Sequence, residues 1–113
     1  MRALLEESFR AAVAAADPLR ILGAHLPPAP KGRTFVAAAG KAAAAMALAV
    51  ERSFPSQVEG IAITRYGHGL PTKHIRVIEA GHPVPDESGE RAAAEMRGRI
   101  AALTAPLTPG AGL

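Results

Sequence analysis

Cysteine is absent from the 113 residues, which removes a disulfide framework, a thiol nucleophile and a thiolate metal site from consideration. Aromatic residues are scarce, at 4%, so a core must be built largely from Ala, Val, Ile, Leu and Met, and such small side chains imply close packing between elements. Also missing is any run of the roughly 20 apolar residues that a membrane span needs. At the N-terminus, Arg2, Glu6, Glu7 and Arg10 interrupt the chain before a signal-peptide core could form. Nothing demands an oxidising compartment, and a cytoplasmic protein is the default expectation. Charge is not segregated either: 13 basic residues are interspersed with 10 acidic ones, for a net +3. Without a basic stripe or aromatic platforms, a nucleic-acid partner is not expected. Ten of the 13 bases are Arg, which with the abundance of Ala is also what a GC-rich coding sequence produces.

What is present amounts to about one ordinary domain. Leu5, Phe9, Ala12, Val13 and Ala16 recur at helical spacing, with Glu6 and Arg10 paired four apart, so residues 3–16 read as an amphipathic helix. Asp17-Pro18 stops it and is placed to cap a short second helix running to Leu22. After the stiff Pro27–Pro30 connector, Thr34–Ala39 is a short continuous apolar run, the pattern of a strand covered on both faces in a parallel sheet. Gly40 ends it. Ala43, Met46, Ala47, Val50 and Phe54 then mark one face of a helix that Pro55 should close.

Gly60–Thr64 and Ile75–Ala80 read as two further strands, the second nearer an edge because Arg76 and Glu79 interrupt it. Only ten residues separate them, from Arg65 to His74. That is short for a helical crossover, so the third strand is either antiparallel or reached by an extended arm, and its direction stays open. Asp86 is a plausible N-cap for a long last helix with Ala93, Met96, Ile100 and Leu103 as its core face and Glu87/Arg91 and Glu95/Arg99 as solvated pairs. Residues 105–113 form an irregular tail. The element order points to a three-layer αβα unit with a small, mostly parallel sheet spanning residues 1–104.

Three places can carry chemistry. At a helix start the backbone N–H groups are unpaired and the field is positive, so Lys41, after Gly40, is unfavourable there unless an anion joins it. Strand, glycine and helix N-terminus together form a general arrangement for holding phosphate. A P-loop is excluded because Phe35 and Ala42 stand where Gly and Ser or Thr are required, and a dinucleotide fingerprint fails for lack of further glycines. Arg65-Tyr66-Gly67-His68-Gly69 follows the second strand, where α/β sites form, and sets a guanidinium, a phenol and an imidazole in a glycine-loosened loop. Gly81–Asp86 follows the third strand, and its two prolines present His82 beside the last helix, while Asp86 is more readily a helix cap than a catalyst. His25 and His74 have no such setting, and no zinc or other metal site is expected.

Taken together, Val36–Met46, Thr64–Gly69 and Glu79–Asp86 closely resemble the N-terminal region of the glycerate 2-kinase family, whose members also carry the name hydroxypyruvate reductase. The resemblance runs from about Leu4 to Leu103 in the same order and spacing. It implies transfer of the ATP γ-phosphoryl group to D-glycerate, giving 2-phosphoglycerate, with Mg²⁺ assistance, in a cleft between two α/β domains. By that resemblance Lys41 is the catalytic residue, and Gly40, Arg65, His68 and His82 line the same cleft to bind substrate or phosphate.

Family members continue into a buried strand, a serine- and glycine-rich phosphate loop and a second domain, whereas residues 105–113 do not look like that strand. The chain therefore resembles a truncated or frameshifted product or a shortened piece: the incomplete first domain of a two-domain kinase, expected to be inactive alone. A second reading, from a different class, is a non-catalytic anion-binding or interaction module using the same helix N-terminus. A reductase reading rests on the family's customary name only. Apolar surface left by missing strands predicts a homodimer or larger assembly.

Overall fold

The computed structural model describes residues 1–54 and 58–103, so the expectations placed on Pro55 and on the tail fall outside the described residues. The first helix, α1 (Arg2–Ala15), is followed by a one-turn helix, α2 (Pro18–Ile21). Pro18 stands in the first turn of α2 with its fixed φ suited to a helix, and the Asp17 carboxylate accepts the Leu19 N–H at 3.0 Å. A 3₁₀ turn over Leu22–His25 leads through the proline connector to β1 (Phe35–Ala39).

The body of the fold is β1, then α3 (Ala43–Ser53), β2 (Glu59–Arg65), β3 (Ile75–Ala80) and α4 (Glu87–Leu103). The strands make one sheet in the order β1-β2-β3, and both pairings are parallel, with Ala37 beside Ile61 and Ile61 beside Arg76. The direction of the third strand is thus parallel. Residues 66–74 return to the start of β3 without a helix, so the crossover is an extended arm. The arm is held from the side. Glu51, near the end of α3, accepts the backbone N–H groups of Lys73, His74 and Ile75 at 2.7–3.0 Å, satisfying donors at the beginning of an edge strand.

Alternation along the strands sorts side chains to two faces. Val36, Ala38, Ala62, Ile75 and Val77 pack with Ala43 and Ala47 of α3 around Val58, forming the core. The opposite face meets α4, where Ala92 is buried and Arg76 of β3 pairs with Glu95 at 2.7 Å. The result is the three-layer α/β arrangement expected from the element order. Close approach of β1 and β2 depends on Gly60, because a Cβ there would come within 2.3 Å of the Val36 carbonyl oxygen.

Several face assignments differ from the sequence reading. In α3 the buried side is Ala43, Ala44, Ala47, Leu48 and Ala49, and Met46 is 43% exposed. In α4 the sheet takes Ala92, whereas Ala93 and Ile100 are exposed. Glu95 and Arg99 do not pair with each other: Glu95 reaches Arg76, while Arg99 reaches Glu59 at 3.5 Å and lies 4.8 Å over the Phe35 ring. Strand β1 is not covered on both sides, since Ala37 and Ala39 remain exposed where α4 lies over β2 and β3. Helix α1 forms where periodicity put it, but its apolar stripe meets solvent, with Leu5 62%, Phe9 70% and Val13 54% exposed.

Candidate functional site

All three strands run the same way, so their C-terminal ends open onto one edge of the sheet, and each is followed there by a glycine-containing turn. After β1 the chain turns at Gly40, whose φ of 124° lies in the region that favours glycine. The Gly40 N–H donates to the Ile63 carbonyl at 3.0 Å, tying the turn to the end of β2. Lys41 and Ala42 complete the turn, and α3 begins at Ala43 with no side-chain cap. Lys41 is exposed, and among the described residues no carboxylate pairs with it. Its carbonyl accepts the hydroxyl of Thr64 at 3.3 Å; Thr64 is buried at 3% exposure, so the hydroxyl fixes the turn from below.

Between the ends of the strands lies a cleft of about 140 Å³ lined by Gly40 after β1, Thr64 and Arg65 on β2, and Gly81 and His82 after β3, with Ala39, Ile63 and Ala80. Parallel pairing sets Arg65 beside Ala80, which brings the residues after β3 alongside those after β2. Of the residues singled out in the sequence, Gly40, Arg65 and His82 are brought together. Lys41 stands next in chain to the lining Gly40, at the rim. His68 lies in the exposed turn beyond Arg65 and is not among the lining residues. His74 sits at the opposite end of β3, where its N–H donates to Glu51.

The two loops behind the cleft are joined by groups that sequence reasoning did not place there. Tyr66 Oη donates to Asp86 Oδ2 at 2.7 Å, and Asp86 Oδ1 accepts the Gly89 N–H at 3.0 Å as the cap of α4. The tyrosine hydroxyl, with backbone support from Gly81 and Gly89, holds the Asp86 carboxyl below its usual pKa, and the same hydrogen bond pushes the Tyr66 phenol up. Glu79, just before the loop, accepts the Gly67 N–H, and the Glu79 carbonyl takes the Ser88 hydroxyl at 2.8 Å. The His82–Pro83 peptide bond is cis. The signal for the Tyr66–Asp86 contact was present only as two residues twenty apart, and parallel register was needed to join them.

Chemically, this arrangement suits a small anion. Arg65 offers a planar donor fork, His82 an imidazole, and the turn before α3 lies at the positive end of an eleven-residue helix. A resident metal is not matched by side chains: among the described residues no three His, Asp or Glu side chains converge to hold one. No helix among the described residues is long and apolar enough to cross a membrane.

Comparison with known proteins identifies the family. Residues 4–107 match the family described as a domain of unknown function, DUF4147. A protein of Agrobacterium vitis provisionally named hydroxypyruvate reductase is 46% identical over 103 residues, covering 90% of this chain and 24% of that protein. The D-glycerate 2-kinase of Thermotoga maritima is 34% identical over 90 residues, covering 78% of this chain and 22% of the kinase. A crystal structure of glycerate kinase from the same organism superimposes with a TM-score of 0.63 at 27% identity, covering 94% of this chain and 25% of that one. A solved protein of Pyrococcus horikoshii superimposes with a TM-score of 0.70 at 34% identity, covering 89% of this chain and 26% of that one. The chain thus spans about a quarter of the length of the relatives it matches. By sequence and by fold, it belongs to the DUF4147 family, and its relatives include proteins named glycerate 2-kinase and hydroxypyruvate reductase.

Proposed function

We propose that the cleft is one wall of a phosphoryl-transfer site, and that the chain is the N-terminal part of an enzyme moving the ATP γ-phosphoryl group to D-glycerate to give 2-phosphoglycerate. The observation that carries this reading is the convergence of Gly40, Arg65 and His82 at the C-terminal ends of three parallel strands, with Lys41 at the rim. Phosphoryl transfer needs little covalent chemistry from the protein and depends on positioning and on neutralising oxygen charge. In this reading Lys41 is the catalytic group, a mobile cation that follows the charge of the transferring phosphate. Arg65 orients an anionic oxygen pair through its fork, His82 donates a hydrogen bond from the loop after β3, and His68, in the exposed turn beyond Arg65, stands outside the cleft lining. ATP supplies the phosphoryl group, and bound Mg²⁺ would neutralise its oxygens. The described residues do not bring together ligands for that ion, so no step is assigned to metal ligands of this segment.

Because the chain spans about a quarter of its relatives, it is expected to bind phosphate without turning over. Titration with inorganic phosphate, followed by backbone amide NMR, should move the signals of Gly40, Lys41, Arg65 and His82. An assay with ATP, Mg²⁺ and D-glycerate should give no product. Robust turnover abolished by Lys41→Ala would overturn the claim of inactivity, and unmoved signals at tens of millimolar phosphate would remove the site. A second reading, a non-catalytic anion-binding module, is favoured by the same cleft and requires saturable binding with no turnover even when the rest of the family fold is supplied. NADH oxidation by hydroxypyruvate would instead support a reductase, for which the sequence holds no dinucleotide fingerprint. We further propose that copies of the chain associate as dimers or larger assemblies through apolar surface such as the exposed stripe of α1.

A further inference from the structure

Arg65 and His82 reach the cleft from different loops, and the strand register alone fixes only their backbones at Arg65 and Ala80. Beyond those points each chain turns away from the sheet, and the distance between the two side chains depends on whatever holds loop to loop. One side-chain bridge does so next to the lining residues. Tyr66, immediately after Arg65, donates its hydroxyl to Asp86 at 2.7 Å, and Asp86 is anchored to the first turn of α4 through Gly89 at 3.0 Å. The loop that carries His82 therefore runs between β3 and a residue gripped by the other loop. It is also tightly wound: a Cβ on Gly81 would come within 2.5 Å of the Val84 carbonyl oxygen and 2.9 Å of Asp86 Cγ. The Tyr66 ring is 55% exposed, so its burial adds little, and the contribution of this residue lies in the direction of its hydroxyl.

We propose that Tyr66 and Asp86 are positioning residues, a clasp that sets the span between Arg65 and His82 so that one small oxyanion meets both. This rests on reading the cleft as an anion site, and it deepens that reading by assigning the residues that preorganise it. The clasp makes a prediction that electrostatics alone would reverse. Asp86 carries a negative charge near the anion, so neutralising it should tighten anion binding through space. If Asp86 acts by holding the loops, neutralising it should weaken binding.

The test uses the full chain, inorganic phosphate as the probe, and dissociation constants from amide NMR titrations of wild type, Tyr66→Phe, Asp86→Ser and the double variant. Ser keeps the capping role at α4 but is too short to reach Tyr66, and Phe keeps the ring, so melting temperatures should stay close to wild type. Loss of an ordinary hydrogen bond corresponds to roughly 3- to 10-fold in affinity. Each single variant is expected to weaken phosphate binding by about that factor, and the double variant by no more than either single, because the two residues act as one unit. Equal or tighter binding by Asp86→Ser, or unchanged binding by Tyr66→Phe, overturns the clasp while leaving the anion site intact. Absence of phosphate binding in wild type itself overturns the anion site and the clasp with it.

Discussion

At the residue scale, Gly40 and Lys41 do separate work. Gly40 turns the chain at a φ of 124°, so Gly40→Ala should strain the backbone by about 1–3 kcal/mol, measurable by denaturant unfolding, although its Cβ would meet no neighbour within 4 Å. Lys41 sits in an exposed turn, so Lys41→Ala should leave stability unchanged and weaken phosphate binding roughly tenfold or more, a hydrogen bond to a charged group contributing about 1.5–3 kcal/mol. An equal affinity in the variant would show that the ammonium bends into solvent and takes no part. The glycine-lysine turn was legible in the sequence because a strand, a glycine and an alanine-rich helix follow one another locally. The company it keeps was less legible. That Arg65 and His82 share its cleft depends on all three strands running parallel, and the short span between β2 and β3 left that direction open.

At the scale of elements, the arm between β2 and β3 shows how a parallel crossover can do without a helix. Glu51 grips the arm's end through three backbone N–H groups. Partial burial opposes ionisation of Glu51, but the donors of Lys73, His74 and Ile75 together outweigh it and hold its carboxyl below the ordinary value of 4.5. A folded-state pKa below the unfolded one means that the contribution is full above the unfolded value and is lost as pH falls through the folded one. Thermal melts of wild type and Glu51→Gln should therefore differ most near neutral pH and converge as the pH drops below the carboxylate range. A constant gap across that range would show that Glu51 acts by packing alone.

Gly60 is the second test at this scale. A methyl group there meets the Val36 carbonyl, so Gly60→Ala should cost about 1–3 kcal/mol, or some 4–8 °C in melting temperature per kcal/mol for a domain of this size. Helix positions were legible at this scale and helix faces were not. In α3 and α4 alanines occupy so many positions that hydrophobic contrast around the helix is low, and the burial of Ala44 and Leu48 rather than Met46, or Ala92 rather than Ala93, fell to tertiary packing. The pairing of Arg76 with Glu95 and of Glu59 with Arg99 was likewise hidden, because it joins strand to helix, whereas sequence spacing shows only pairs within one helix.

At the scale of the whole molecule, the described residues extend 67 × 36 × 18 Å, with α1 displaying Leu5, Phe9 and Val13 to solvent and both edge strands open. Such surface promotes association. Light scattering should report a mass above the 11.6 kDa monomer, and Phe9→Glu should lower it; a clean monomer at high concentration would count against association. The central claim, that this chain forms a working wall of a phosphoryl-transfer cleft, is tested most directly by a chimera. In the D-glycerate 2-kinase of Thermotoga maritima, the segment matched by this chain is replaced with it, and phosphorylation of D-glycerate by ATP is measured. The chimera should fold, turn over and lose about 10²–10³-fold in kcat/KM on Lys41→Ala, the range for removing one group that stabilises developing charge. A folded chimera that is inactive, or one equally active with Lys41→Ala, would contradict that claim.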